Sequence, residues 1–188
     1  MDYYIEIVIK PDAEMRENVL LNKVYTKFHK ALFDLQASDI GVSFPQKKVK
    51  LGRVLRVHSS LGRLNELRAL KWLGGLSGYC EVSDVLPVPK LVLGYMFVSR
   101  VRDNMSVGKL RRLKKRHSLS VDEVKKYKAK MFAKNLDNPY LELESVSSKQ
   151  RYRLYIAFSE LQSTQSLGEF NKFGLSKIAT VPVFDNCK

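Results

Sequence analysis

The chain has 188 residues, of which 45% are hydrophobic, enough to build a packed core and too many for a wholly disordered protein. Its 33 Lys and Arg against 19 Asp and Glu give a formal net charge of +14, which favours a polyanionic partner, either nucleic acid or an anionic membrane surface. The opening residues MDYYIEIVIK lack the basic leader of a signal peptide, and no apolar run is long enough to span a bilayer. Two cysteines are too few for a disulfide scaffold. These features exclude the secreted and membrane-spanning classes and predict a cytoplasmic location.

The first half of the chain predicts alternating strands and helices. In order, these are a strand at Tyr3–Lys10, a helix at Ala13–Leu35 with Asp12 as N-cap, strands at Ile40–Phe44 and Arg53–Val57, a helix at Leu61–Leu73, and strands at Tyr79–Val85 and Leu91–Val98. The second strand pair includes an alternation, Val54 and Arg56 against Leu55 and Val57, that predicts one buried and one exposed face. The order β-α-β-β-α-β is the ferredoxin-like pattern, which RNA-recognition folds share with many unrelated proteins.

The second half carries most of the excess charge. Residues 1–94 have a net charge of +4, and residues 95–188 have a net charge of +10. The segment Arg100–Lys134 by itself also has a net charge of +10. This shift follows Pro87-Val88-Pro89 and predicts an N-terminal ferredoxin-like domain, 1–94, and a C-terminal α+β domain, 95–188. The predicted elements of the second domain are a strand ending near Arg102, a basic helix at Gly108–His117, a helix from the capping box Ser120-Val-Asp-Glu123 to Lys134, a strand pair at Tyr140–Glu144 and Arg151–Phe158, and closing segments at Phe173–Lys177 and Val181–Phe184.

The basic helix places five cations in the six positions from Arg111 to Arg116. Like charges one turn apart repel, so this helix calls for an anionic ligand, and nucleic-acid phosphates fit it. Leu110, Leu113 and His117 give one apolar face, which is narrow for a membrane-surface helix. A solvated cationic face and a membrane-surface helix are the alternatives.

Several side chains are candidates for chemistry or base recognition. Arg100 and Arg102 lie on one side of a strand, where guanidinium groups read guanine edges or clamp phosphates without sequence preference. His29 lies at the edge of its helix's apolar stripe, one turn from Tyr25 and Phe33, where it either shuttles a proton or merely packs. The other two histidines, His58 after a strand and His117 on the leucine face, are predicted to be structural.

The hairpin in the second half adds polar and aromatic groups. Ser145, Ser147 and Ser148 place hydroxyls in its loop, either to orient a ribose 2′-OH or a phosphate or simply to form the turn. Tyr152, between Arg151 and Arg153, offers a stacking face for a base or packs on a neighbour. With no paired carboxylates, no Cys/His cluster and no phosphate-binding glycine loop, we predict no metal and no cofactor. Cleavage of nucleic acid would then go through the RNA 2′-OH.

Together these segments resemble the CRISPR-associated endoribonuclease of type I-F (Csy) systems, from near residue 1 to about 184. The motifs that carry the resemblance are MDYYIEI with Pro11-Asp12, Phe28-His29-Lys30-Ala31-Leu32, Ile40-Gly-Val-Ser-Phe-Pro45, Val98-Ser-Arg-Val101, Leu110-Arg-Arg to Lys115-Arg-His117 with Leu119-Ser120, Ser145-Val-Ser147 with Tyr152-Arg-Leu-Tyr155, and Gly174-Leu-Ser-Lys177. The resemblance implies that the protein binds the repeat stem-loop of precursor CRISPR RNA with the basic helix in its major groove. It also implies metal-free cleavage at the 3′ base of the stem, retention of the crRNA, and membership of a surveillance complex with other Cas subunits.

The resemblance also implies roles for individual residues. His29 matches the catalytic histidine, Ser145 the serine that holds the attacking 2′-OH, and Ser147 a supporting serine. The positions that match RNA-binding residues are Arg100 for a guanine, Tyr152 for stacking on the closing base pair, and Arg111, Arg112, Lys115 and Arg116 for the groove.

Two positions depart from the family pattern. Arg102 stands where a readout glutamine is expected, so recognition of the adjacent base differs. Phe173 stands where the family can carry an active-site tyrosine, so any hydrogen bond that orients His29 must come from elsewhere. Two alternatives stay open at this point: a weakly cleaving or non-cleaving RNA-hairpin cap of the same complex, and a basic DNA-binding regulator.

The basic helix predicts a steep salt dependence of binding. Five phosphates neutralised at about 0.7–0.9 log units each give a plot of log affinity against log salt with a slope of about −3.5 or steeper. Lys115→Ala is expected to reduce the slope by about one phosphate contact. Binding of a repeat hairpin measured at several salt concentrations checks this, and a nearly flat plot would contradict groove binding.

Overall fold

The computed structural model describes residues 1–101, 107–117, 119–133, 138–145 and 150–185. Its strands are β1 (Tyr3–Ile9), β2 (Gly41–Ser43), β3 (Val54–Ser59), β4 (Cys80–Val82), β5 (Leu86–Pro87), β6 (Gly94–Met96), β7 (Val98–Arg100), β8 (Tyr140–Glu144), β9 (Arg151–Phe158) and β10 (Val181–Val183). Its α-helices are α1 (Glu17–Asp34), α2 (Leu61–Ala69), α3 (Val107–Arg116) and α4 (Val121–Ala133), and a 3-10 helix spans Gly74–Tyr79.

All strand pairs in the described residues are antiparallel, which confirms the predicted α+β class. The first sheet has the order β2-β3-β1-β4, with β5 also paired to β1, and its elements follow the predicted order β-α-β-β-α-β. A second sheet pairs β10 with β6, and a third has the order β7-β9-β8. The C-terminal strand β10 therefore pairs with a strand from the middle of the chain.

Helix α1 begins later than predicted. The Asp12 carboxylate accepts hydrogen bonds from the backbone nitrogens of Glu14 and Met15, so it caps a turn rather than the helix, which starts at Glu17. In α4 the predicted capping box is confirmed: Ser120 Oγ accepts from Glu123 N at 3.2 Å, and Glu123 Oε2 accepts from Ser120 N at 2.8 Å. These bonds to Ser120 lower the pKa of the Glu123 carboxyl.

The predicted alternation in β3 is wrong, because all six of its residues are buried. One face of this central strand is covered by the helices, and the other by the end of the chain. Arg56, only 1% exposed, donates to Glu6 Oε2 at 2.7 Å and to the Phe184 carbonyl at 3.0 Å. His58 lies inside the strand rather than after it and is fully buried, which agrees with its predicted structural role.

Other boundaries also differ from the predictions. Helix α2 ends at Ala69 and is followed by the 3-10 helix, and Leu61 and Leu70 at its ends are exposed although Leu64 and Leu67 are buried. The predicted strand at 91–98 is two short strands, β6 and β7, which join different sheets. The closing segment 173–177 begins in a turn, and β10 falls within the predicted closing segment Val181–Phe184.

The buried core is continuous across the predicted boundary between residues 94 and 95. Leu154, Phe170 and Leu175 belong to the same buried cluster as Phe28 and Val57. The division into two domains stays a prediction. Among the described residues, the helices are all too short or too polar to cross a bilayer.

The buried His58 predicts a loss of stability in mild acid. Burial, and secondarily the charge of Arg56, lowers the pKa of His58 from 6.5 to about 3. The unfolded chain therefore takes up a proton on this ring as the pH falls below 6.5, whereas the folded protein does not. The free energy of unfolding therefore decreases as the pH is lowered below 6.5, by up to about 1.4 kcal/mol per pH unit.

Denaturant unfolding between about pH 7 and pH 4.5 measures this dependence. His58→Gln removes the titrating ring, so the variant's unfolding free energy is expected to change less steeply over this range. Parallel slopes for the two proteins would contradict the assignment.

Candidate active site

His29 lies on the edge of α1 and is half-buried, as the helical spacing predicted. Its Nδ1 is 2.6 Å from the main-chain carbonyl oxygen of Lys172. A carbonyl oxygen only accepts hydrogen bonds, so Nδ1 carries the hydrogen and donates it. In the neutral ring, Nε2 therefore keeps its lone pair and is the nitrogen that can take up a proton.

The ring of Phe173 stacks on the His29 imidazole. The ring centroids are 3.9 Å apart and the planes differ by 8°. The guanidinium of Arg100, at the end of β7, lies over the same phenyl ring, with Cζ 5.8 Å from the centroid. Phe173 thus links the histidine and the arginine that the sequence singled out separately.

A tight turn from Asn171 to Leu175 presents these groups to α1. Asn171 Oδ1 accepts from Phe173 N at 2.8 Å and from Leu175 N at 3.3 Å, and Asn171 N donates to the Leu175 carbonyl at 2.9 Å. Gly174 has a φ of +69°, and a Cβ there would lie 3.0 Å from Val42 Cγ1. The turn therefore needs glycine both for its backbone conformation and for its close approach to β2.

Three hydrogen bonds tie this turn to the rest of the core. Tyr25 Oη donates to the Phe173 carbonyl at 2.6 Å, Val42 N donates to the Gly174 carbonyl at 3.0 Å, and Ser176 N donates to the Val98 carbonyl at 2.9 Å. Burial raises the pKa of the Tyr25 hydroxyl, and the nearby Tyr152 acts in the same direction. Tyr25 is thus a neutral donor to the turn.

The hairpin β8–β9 packs on α1 near the same place. Glu142 N, in β8, donates to Asn22 Oδ1 at 3.1 Å. Tyr152, which faces Leu143 across the hairpin, raises the pKa of Tyr25, a residue of α1. Strand β8 and helix α1 are therefore in contact.

Ser145 lies at the end of the strand that packs on α1, the helix that carries His29. Ser145 follows β8 directly and is half-buried, and its backbone nitrogen donates to the Gln150 carbonyl at 2.9 Å. That Ser145 acts together with His29 stays a prediction.

Tyr152 and Arg100 are neighbours in this region. Tyr152 is half-buried on β9, where burial raises the pKa of its hydroxyl and Arg100 opposes that shift. The ring is thus packed against the core and has a cation beside it. The structure shows Tyr152 as a packed strand residue, and its stacking on a base stays a prediction.

Helix α3 spans almost the predicted residues and exposes its cations. Leu110 is buried and Leu113 half-buried, but His117 is exposed, so the predicted three-residue apolar face is wrong at its end. The helix ends at Arg116, and His117 lies beyond its last turn. The exposed cations at predicted groove positions are Arg111, Arg112, Lys115 and Arg116.

Three predicted site residues, Arg102, Ser147 and Ser148, lie outside the described residues. In the ranges that are described, no three His, Cys, Asp or Glu side chains come together as metal ligands. The sequence analysis missed Asn171 and the Lys172 carbonyl. Asn171 three residues before a glycine is a turn signal, but a main-chain carbonyl leaves no mark in the sequence.

Comparison with known proteins identifies the family of this chain. The family model described as CRISPR-associated protein (Cas_Csy4) matches residues 4–184. The CRISPR-associated endonuclease Cas6/Csy4 of Escherichia coli (strain UTI89 / UPEC) is 37% identical over 185 residues, covering 98% of this chain and 100% of the relative. The protein of the same name from Pseudomonas aeruginosa (strain UCBPP-PA14) is 38% identical over 188 residues, with 98% and 100% covered.

The chain is an α+β protein with a candidate site at His29 and a strongly basic helix. It belongs to the Csy4 family of CRISPR-associated proteins, which confirms the resemblance drawn from its motifs. Among solved structures, the CRISPR endoribonuclease Cse3 bound to 19 nt RNA covers 97% of this chain and is itself covered in full, at 9% identity and a TM-score of 0.39.

The stacking of His29 on Phe173 predicts a ring-current signature. The carbon-bound imidazole protons of His29 are expected upfield of those in Phe173→Leu, which keeps an apolar side chain but has no ring. Phe173→Tyr, which keeps the ring, is the matched control and is expected to retain the upfield position. Proton–carbon NMR of the histidine rings checks this, and identical shifts in wild type and Phe173→Leu would contradict the stack.

Proposed function

We propose that this protein is a metal-independent endoribonuclease of the cytoplasm that cuts precursor CRISPR RNA at the 3′ base of the repeat stem-loop. The observation that carries the proposal is His29, held with Nδ1 on the Lys172 carbonyl and with Nε2 left to accept a proton. The endonuclease names of relatives that match nearly the whole chain support the reaction class.

The proposed reaction is an attack of the RNA on its own backbone. Ser145 holds the 2′-OH of the scissile nucleotide, with Ser147 in support, and His29 Nε2 takes its proton. The 2′-oxygen forms a bond to phosphorus as the bond from phosphorus to the 5′-oxygen breaks. The leaving oxygen takes up a proton from the solvent, which leaves a 2′,3′-cyclic phosphate and a 5′-OH.

The cationic surface would hold the RNA for this step. The exposed cations of α3 neutralise phosphates along the major groove of the stem, where charge matters more than sequence. Arg100 and Arg102 contact bases next to the cut, Tyr152 stacks on the closing base pair, and Ser148 contacts the backbone. We propose that the crRNA hairpin stays bound after cleavage and that the protein remains with it as a subunit of the type I-F surveillance complex with other Cas proteins.

The second candidate is a hairpin-binding cap of the same complex that cuts weakly or not at all. It is favoured by one observation, that Phe173 lacks the hydroxyl of the family's tyrosine at this position. Such a protein would bind the hairpin as tightly as the cleaving enzyme does and would leave the RNA intact. A DNA-binding regulator would instead prefer duplex DNA.

The mechanism predicts which changes abolish cleavage. In EDTA, wild-type protein is expected to cut a repeat hairpin, while His29→Ala is expected to cut about 10²- to 10⁴-fold more slowly, the usual contribution of a proton-transferring side chain. RNA with a 2′-deoxyribose at the scissile position is expected to stay intact. Single-turnover cleavage assays measure both effects.

Phe33→Ala is the matched control, because Phe33 lies on the same helix one turn further on and is largely exposed. It is expected to cut like wild type. Cleavage that survives both His29→Ala and the 2′-deoxy substitution would refute the mechanism, and tight binding without wild-type cleavage would favour the cap.

A further inference from the structure

We propose that Asn171 is a positioning residue that selects which nitrogen of His29 faces the substrate, an inference that rests on the proposed cleavage by His29. Phe173 has no hydroxyl to orient the imidazole, and the Lys172 main-chain carbonyl makes the hydrogen bond instead. Asn171 sets the direction of that carbonyl through the peptide group that follows it.

Stacking alone cannot orient the His29 ring. The parallel contact with Phe173, at 3.9 Å and 8°, fixes the plane of the imidazole. A half-turn of the ring preserves this stack but exchanges Nδ1 with Cδ2, and Nε2 with Cε1. The hydrogen bond from Nδ1 to the Lys172 carbonyl distinguishes the two orientations, because carbon in place of Nδ1 gives up the 2.6 Å bond.

The carbonyl in question belongs to the peptide group between Lys172 and Phe173. The oxygen of this group accepts from His29 Nδ1, and its N–H, on Phe173, donates to Asn171 Oδ1 at 2.8 Å. In a trans peptide, C=O and N–H are coplanar and point in opposite directions. Asn171 and His29 therefore lie at the two ends of one rigid dipole, and the bond at each end polarises the group in favour of the other.

Asn171 can orient this peptide group because its side-chain oxygen accepts hydrogen bonds from backbone nitrogens. Oδ1 also receives Leu175 N at 3.3 Å, and Asn171 N donates to the Leu175 carbonyl, so the residue closes the turn at both ends. The hydrogen bond from Phe173 N is exposed to solvent. Without the side chain, water can satisfy this N–H but does not impose a direction on the peptide, so orientation is lost more than stability.

Two variants of Asn171 test the proposal. Asn171→Ala removes the acceptor, and Asn171→Asp keeps it. In Asn171→Ala, the hydrogen on the His29 ring is expected to spread from Nδ1 to a mixture of the two nitrogens, and the single-turnover rate at saturating RNA to fall about 10- to 100-fold, as when other orienting partners of a histidine are removed. Asn171→Asp is expected to restore both.

The hydrogen on His29 is read from the nitrogen-15 shifts of Nδ1 and Nε2 in the RNA-free protein. RNA affinity is measured alongside and is expected to stay within about twofold for Asn171→Ala, because it is the direction of the peptide that changes and not the cationic surface. The control is Thr180→Val, which removes a hydrogen bond of the same kind, from Ser166 N to Thr180 Oγ1 at 2.9 Å, elsewhere in the C-terminal segment.

The proposal is overturned if Asn171→Ala leaves the nitrogen shifts and the rate unchanged, or if Thr180→Val causes the same changes. It is also overturned if Asn171→Asp fails to restore the Nδ1–H form. If wild-type protein does not cut RNA at all, the proposed function fails, while the nitrogen shifts still decide whether Asn171 orients His29.

Discussion

The site depends on the closure of a C-terminal turn onto the first helix. Tyr25 and Phe173 are 148 residues apart in the chain, and the 2.6 Å hydrogen bond between them is partly buried. Gly174 allows the turn to approach β2, and the Lys172 carbonyl reaches His29 as a result. Helix α1 alone would present a histidine with no defined orientation. The turn near the C-terminus supplies the hydrogen bond that orients His29.

The fold separates two tasks in electrostatic terms. The cations of α3 are exposed and suited to phosphates, whereas the groups around His29 are mostly aromatic rings and main-chain amides. Long-range attraction by the basic helix brings a polyanion to the surface but selects no particular bond. The choice of bond falls to short-range contacts that need fixed geometry, which explains why the turn is held by so many hydrogen bonds.

Local patterns predicted much of this arrangement. Helical spacing placed His29 at the edge of α1, the capping box located the start of α4, and the strand pair around Ser145 was predicted with its exact bounds. These succeed because periodicity, caps and hairpins are decided by residues close in the chain. The family motifs then suggested which of the placed residues take part in chemistry.

The failures at β3 and at the partner of His29 share a physical cause, which is contact with distant residues. The alternation in β3 was misread because Phe184 covers the face of the sheet that carries Arg56. The partner of His29 was unpredictable because it is a main-chain atom delivered by a turn 143 residues away. Asn171 carried a turn signal, but only the structure shows that its Oδ1 holds the peptide group that also bonds to His29.

The most direct test of the central claim is the chemistry of the cut ends. A repeat hairpin labelled at each end is cleaved by wild-type protein in EDTA, and the fragments are analysed by mass spectrometry. Attack by the 2′-OH predicts a 2′,3′-cyclic phosphate on the upstream fragment and a 5′-OH on the downstream one. A 5′-phosphate on the downstream fragment would show that water attacked instead, and would contradict the account.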